Sequence, residues 1–179
     1  MGMRVVAGSL KGMKLESLKS DDIVRPTTNK VKEAIFSAIQ FEIAGKDFLD
    51  VFCGSGQMGI EALSRGAKSA TFIDQNRKSI ECTRKNLEVT KMIPFAEVIC
   101  GNSTNLLKFA KKKYDIAFLD PPYESGLLQE TMPIVAQIMN ENGIIICESS
   151  KNDKLLQKYY KFTLDREYSY GTISVSIYR

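Results

Sequence analysis

Phe48-Leu-Asp-Val-Phe-Cys-Gly-Ser-Gly-Gln-Met-Gly59 constrains this chain more than any other stretch. A short apolar run ends in three glycines spaced G-x-G-x-x-G, and a helical pattern starts at once. That order predicts a buried parallel strand, a tight turn, and a helix whose first N–H groups point back over the turn. Gly54 and Gly56 can take positive φ and let a ligand approach the main chain, which a Cβ would block. Asp74 lies twenty positions after Gly54 at the end of the next apolar run, the distance at which an acid binds ribose hydroxyls. Strand, turn, helix and acid together predict a nucleoside-type cofactor site rather than a plain structural turn.

Around this stretch strand and helix alternate. Strands are predicted over 48–52, 70–74, 95–100, 115–119 and 144–148, and helices over 58–65, 77–90, 103–112 and 127–140. A short helix is expected over roughly 152–160, followed by two β runs, 161–168 and 172–178, joined by a turn at Tyr170-Gly171. Upstream, residues 4–15 read as a small hairpin around Gly8 and Gly12, and residues 16–24 are polar. Arg25-Pro-Thr-Thr28 leads into a helix that Thr28 or Asn29 can cap, with Val31, Ala34, Ile35, Ala38 and Ile39 on one face and a stop at Gly45. The expected architecture is an α/β, Rossmann-like, mostly parallel seven-stranded sheet with a C-terminal antiparallel hairpin and a small N-terminal β extension.

With 179 residues, 44% hydrophobic and 26% charged, the chain reads as one soluble globular domain. No apolar run approaches the roughly 20 residues of a membrane span. Cys53, Cys82, Cys100 and Cys147 lack metal-ligand spacing and read as buried thiols in a reducing, cytoplasmic setting, with no metal implied. The absence of histidine leaves Asp, Glu, Lys, Tyr and backbone atoms for acid–base chemistry. The net charge of +4 is localised: residues 1–32 hold seven basic and three acidic side chains, and the rest of the chain balances. A neutral body with a basic arm suits a polyanionic partner.

Ligands of open α/β sheets gather beyond the carboxyl ends of the strands. The most specific loop there is Asp120-Pro-Pro-Tyr123. Pro121 and Pro122 stiffen the backbone and remove two N–H donors, so the Asp120 carboxylate and the Pro121 carbonyl can both accept from a planar NH₂ group. The Tyr123 ring beside them offers a face on which a base can stack.

With the glycine loop and Asp74, this tetrapeptide resembles the class I S-adenosylmethionine-dependent amino-methyltransferases. Arg4-Val-Val-Ala-Gly, Lys11-Gly12, Arg25-Pro-Thr-Thr28, Val31-Lys-Glu-Ala-Ile-Phe36 and the terminal Tyr170-Gly-Thr172 narrow the resemblance to the RsmD family of 16S ribosomal RNA guanine-N2 methyltransferases, across nearly the whole chain. The resemblance implies N2-methylation of guanine 966 as the reaction. The resemblance implies S-adenosylmethionine as cofactor, held by Asp50, Phe52, Cys53, Gly54, Ser55, Gly56, Gly59, Asp74, Gln75, Asn102 and Ser103. Many relatives have an aspartate where this chain has Asn102. Asp120 to Tyr123 would receive the flipped guanine. Arg4, Lys11, Lys14, Arg25, Thr27 and Thr28 would hold RNA, as part of a basic extension over residues 1–28 preceding a methyltransferase domain over 29–179. The implied partner is ribosomal RNA or a small-subunit particle, met by a monomer.

Other readings stay open. Methylation of a DNA adenine or cytosine amine uses the same tetrapeptide, and a nicotinamide-dependent oxidoreductase fits Gly54 to Asp74 equally well. A non-catalytic RNA-binding module on a dead methyltransferase fold is a third.

Overall fold

The computed structural model describes residues 2–18 and 28–179. Among the described residues there are five α-helices and eight strands, alternating as far as β5: α1 Asn29–Ala38, β1 Asp47–Asp50, α2 Gln57–Ser64, β2 Ser69–Asp74, α3 Arg77–Val89, β3 Ala96–Cys100, α4 Ser103–Lys108, β4 Tyr114–Leu119, α5 Leu127–Ile138, β5 Met139–Ser150, β6 Lys158–Tyr159, β7 Phe162–Tyr170 and β8 Ile173–Tyr178. The strands form one sheet in the order β3-β2-β1-β4-β5-β8-β7-β6. The first five run parallel, and β8 and β7 close the far side antiparallel. The α/β fold, its mostly parallel sheet and its terminal hairpin are as the sequence predicts, but the sheet has eight strands rather than seven, the short β6 being the addition. Among the described residues, no helix is long and apolar enough to cross a membrane.

Strand alternation sorts the core into two layers. Phe48, Phe72, Phe118, Ile146 and Ile177 point to the face covered by α1, α2 and α3. Their neighbours Leu49, Ile73, Leu119, Cys147 and Tyr178 point to the face covered by α4 and α5. A one-residue slip would exchange the two sets, so burial on both faces fixes the register.

Local differences from the sequence expectations have local causes. No helix forms over 152–160: the Asp153 carboxylate accepts from Ser150 N (3.0 Å), and Leu156 N donates to Tyr159 Oη (3.0 Å). These side-chain bonds offer the backbone an alternative to the helical ladder, and the segment ends in the two-residue strand β6 instead. The helix predicted over 103–112 stops at Lys108. Strand β5 begins at Met139, where helix was expected to run to 140, because Asn140 Nδ2 is drawn to Asp115 Oδ1 (2.8 Å) at the irregular start of the β4–β5 pairing.

The N-terminal hairpin forms as predicted, with Arg4 bridged to Lys14, and it buries Val5 and Leu15 in the core. It is clamped onto α2. Glu61, fully buried in that helix, accepts from Val6 N (2.8 Å) and Ala7 N (2.9 Å), and pairs with Lys32 (3.6 Å) and Arg65 (2.9 Å). Lys32 Nζ also donates to Arg4 O (2.7 Å). Burial pulls the Lys32 ammonium below its ordinary range, with Glu61 opposing. Lys32 is therefore part of the basic excess by count but is enclosed by protein.

Candidate active site

The glycine turn joins β1 to α2 and is tied down from three sides. Cys53 N donates to Ile73 O (3.0 Å) on β2, Thr83 Oγ1 donates to Gly54 O (3.0 Å), and Asn86 Nδ2 donates to Ser55 O (2.9 Å). The three glycines meet three different demands. A Cβ on Gly59 would lie 2.2 Å from the Phe72 ring, and one on Gly56 would lie 2.8 Å from Thr83 Cγ2. Gly54, at φ +55°, has nothing within 4 Å of that position. Helix packing thus accounts for Gly59 and turn packing for Gly56. Gly54 alone borders open space, which is where a ligand can approach bare backbone.

Two carboxylates flank this turn. Asp74, at the end of β2, accepts from Gly54 N (2.9 Å) through Oδ2 and from Asn76 N (2.8 Å) through Oδ1. Each oxygen keeps a lone pair for a hydroxyl donor. Asp50 ends β1, is buried, and accepts from Gly59 N (3.1 Å). Burial pushes its carboxyl up to about 7; the Asp74 charge adds to this and the Gly59 N–H opposes it. The buried Cys53 thiol is also pushed up, first by burial and then by Asp50.

The remaining residues assigned to the cofactor have structural partners. Asn102 caps α4, its Oδ1 accepting from Asn105 N (2.9 Å). Ser103 Oγ donates to Val51 O (2.7 Å), tying α4 to the end of β1. Ser55 Oγ meets Met3 Sδ (3.2 Å), Gln75 O accepts from Cys100 Sγ (3.9 Å), and Phe52 packs on the α4–α5 side of the core.

The Asp120 corner follows β4, which lies beside β1 with Asp50 opposite Phe118. Pro121 is buried and Pro122 exposed. Tyr123 is 38% exposed, and its hydroxyl donates to Glu148 Oε1 (2.8 Å) at the end of β5. Glu148 is buried. Ser125 Oγ donates to Pro122 O (2.6 Å), and Glu124, at φ +56°, accepts from Asn152 Nδ2 (3.0 Å) and Ser150 Oγ (3.3 Å). Along the carboxyl edge the order is Asn102, Asp74, the glycine turn, Asp120 to Tyr123, and Glu148. Asp74 and Asp120 leave the two strands that flank β1, so roughly 10 Å separates those strands. The chain reverses its winding between β1 and β4, the point at which such sheets open a crevice.

Of the residues assigned to RNA, Arg4, Lys11 and Lys14 are exposed on the hairpin. Arg4 and Lys11 border a hollow of about 370 Å³ together with Asn29 and Glu33. Thr28 caps α1, its hydroxyl accepting from Val31 N (3.3 Å). Arg25 and Thr27 lie outside the described residues, as does most of the polar stretch 16–24. Sequence reasoning gave no part to Glu61 and left Glu148 unassigned. Glu61 stands in Met58-Gly-Ile-Glu-Ala-Leu63, a helix with no solvent face, where a lone carboxylate requires partners from elsewhere in the fold.

The sequence model of the family described as Conserved hypothetical protein 95 matches residues 3–179. The ribosomal RNA small subunit methyltransferase D of Haemophilus influenzae is 35% identical, over 99% of this chain and 93% of its own. YlbH of Bacillus subtilis is also 35% identical, over 99% of this chain and 98% of its own. Among solved structures, yhhF of Escherichia coli has a TM-score of 0.88 at 32% identity, covering 98% of this chain and 96% of that one. A glycine turn with one open side, two flanking carboxylates and the Asp-Pro-Pro-Tyr corner thus meet in a chain that belongs to the Conserved hypothetical protein 95 family, the RsmD-type, S-adenosylmethionine-dependent ribosomal RNA methyltransferases.

Proposed function

We propose that the protein methylates the N2 amine of a guanine in 16S ribosomal RNA, at the position 966 that its resemblance to the RsmD family implies. The observation that carries this reading is the corner itself: Asp120 to Tyr123, with Tyr123 held by buried Glu148, leaves the strand next to the glycine turn. In this reading Gly54 admits the cofactor to the backbone, Asp74 accepts from ribose hydroxyls, Asp50 faces the amino-acid end, and Asn102 faces the adenine amine. Arg4, Lys11 and Lys14 take RNA phosphates, which makes affinity fall with salt. The protein acts on RNA in the cytoplasm as a monomer, with Arg25, Thr27 and Thr28 adding to the RNA face.

S-adenosylmethionine supplies an already activated methyl group, so alignment is the main task left to the protein. The guanine must leave its stack to reach the corner, at a cost of a few kcal/mol. Stacking on Tyr123 returns about 1–3 kcal/mol of that. The amine is a poor nucleophile because its lone pair is delocalised into the ring. Hydrogen bonds to the Asp120 carboxylate and the Pro121 carbonyl favour the rehybridised nitrogen and the positive charge growing on it. Asp120 then accepts the proton, a role consistent with the absence of histidine.

The test is transfer of labelled methyl groups to small-subunit particles that lack the modification, with the product base mapped. Asp120→Ala should abolish turnover with little change in cofactor affinity. Label in an adenine or cytosine, or none at all from the wild type, overturns the reading.

A further inference from the structure

Beyond the site described above, the carboxyl edge carries a second concavity. A cavity of about 600 Å³ opens between the β5–β8–β7 part of the sheet and the loop from Ser150 to Gln157. No helical residue lines it; its walls come from the ends of β5, β7 and β8 and from the loop. Ser149, Ser174 and Ser176 lie in its wall and are each at least 95% buried. Ser174 Oγ (3.0 Å) and Ser176 Oγ (3.3 Å) both donate to Glu167 Oε1. Lys151 and Lys154 stand exposed on the loop opposite.

The cavity is tied to the catalytic corner. Glu124, the residue after Tyr123, accepts from Ser150 and Asn152, and its own N–H reaches Asp153 Oδ2 (3.5 Å). Ser150 and Asp153 both line the cavity. One wall of the second concavity is therefore fixed to the loop that would hold the target base.

Its chemistry is two-sided. Serine hydroxyls that give their hydrogens to Glu167 present only oxygen lone pairs to a further partner. With the carboxylate, they make an acceptor-rich floor, suited to amino, imino and ribose hydroxyl donors. The lysines make a cationic rim. A free anion would meet the acidic floor, and a simple cation would meet the rim. A nucleotide satisfies both, with phosphate outside and base or ribose donors inside. The volume lies in the range of small-ligand sites.

We propose that this cavity receives the nucleotide next to the target guanine, so that the enzyme reads a flanking base as well as the one it modifies. The inference rests on the RNA-methylating function proposed above and adds a second subsite to it. Flipping one base displaces its neighbour, and a subsite that engages the neighbour would offset part of that cost.

The experiment compares methylation of an RNA hairpin carrying the target guanine with the same hairpin made abasic at each flanking position. Wild-type protein should lose about tenfold in kcat/KM at one flank, the scale of hydrogen bonds to a charged group. Glu167→Gln should show a similar loss on intact RNA and none on the abasic RNA. The Lys151→Ala/Lys154→Ala pair should raise the RNA KM and lower the salt slope by about 1.4, or 0.7 per lost phosphate contact on a single strand. All three substitutions alter exposed side chains, and unchanged melting temperatures and cofactor affinity would show them folded. Equal activity of Glu167→Gln and wild type on intact RNA overturns the proposal. So does a Glu167→Gln loss that persists undiminished on abasic RNA, or a loss seen only on assembled particles, which would mark a protein partner. If wild-type protein transfers no methyl group to guanine, the proposed function itself fails, and that outcome is distinct from all of these.

Discussion

Replacing Glu61 by Gln tests whether the N-terminal hairpin is held by one buried charge. The carboxylate takes two backbone N–H groups, Lys32 and Arg65, at 2.8–3.6 Å, with both Glu61 and Lys32 fully buried. Glutamine keeps the shape and one acceptor but leaves Lys32 without a counter-charge inside the protein. Breaking a buried pair from one side costs about 3–5 kcal/mol. For a chain of this size, each kcal/mol moves the melting temperature by about 2–4 °C, so a fall of roughly 6–20 °C is expected. The loss should depend on pH. Burial already lowers the Lys32 pKa from 10.5. A base with a lowered folded pKa destabilises the protein at low pH, and stability is regained as pH rises towards the unfolded value. Glu61→Gln should widen that window and recover part of its deficit in alkaline buffer. The Glu61→Gln/Lys32→Met double variant should be more stable than Glu61→Gln alone, because no unpaired charge remains. Thermal melts across pH, with hydrogen exchange at the Val6 and Ala7 amides, provide the readout. A loss under about 1 kcal/mol that is flat with pH, and unchanged exchange at those amides, would refute the argument.

The glycine turn predicts a contrast. Gly59→Ala should lower stability by about 1–3 kcal/mol by driving Cβ into the Phe72 ring, whereas Gly54→Ala should lower cofactor affinity far more than the melting temperature; calorimetry beside thermal melts would expose the reverse pattern. Asp50, raised to about 7 in the folded protein, should lose its proton when the cofactor's ammonium arrives. Binding near pH 6 should therefore release protons and binding well above 7 should not, as seen by titration calorimetry in buffers of different ionisation heat; no buffer dependence would refute the role. The same shift has a sign for stability: the folded state binds the extra proton between about 4 and 7, so this contribution is full below that window and lost as pH rises through it. Tyr123→Phe, which removes the hydrogen bond to Glu148, should raise the RNA KM about tenfold with cofactor affinity unchanged; a parallel fall in cofactor affinity would count against the ring's place at the base.

The parts legible from sequence are those in which neighbours along the chain settle the matter. Runs such as Ile144 to Cys147 and the glycine turn announce themselves, because burial on both faces requires continuous apolar strands. Asp120 to Tyr123 could be placed on the same edge as Gly54 from strand alternation alone. What escaped depends on contacts between distant residues. The stretch 152–160 has a composition suited to helix, yet Tyr178 Oη donates to Leu156 O (2.9 Å) and Glu124 receives Ser150 and Asn152 across 26 and 28 positions. Charge sets the basic arm apart from a neutral body, while Val5, Leu15 and the clamp on Glu61 make residues 3–16 part of the core. Removing residues 1–24 would therefore destabilise the protein as well as weaken RNA binding; exchanging Arg4, Lys11 and Lys14 for alanine separates the two effects.

Helix α2 has the glycine turn at its first residue and the clamp for the hairpin at Glu61 and Ser64, all within eight residues. At 1.5 Å per residue it is a strut about 12 Å long. Asn86 runs alongside, donating both to Ser55 O and to Glu16 O. The hairpin and the glycine turn are therefore joined through one short helix and one asparagine, and a displacement of either end would be felt at the other.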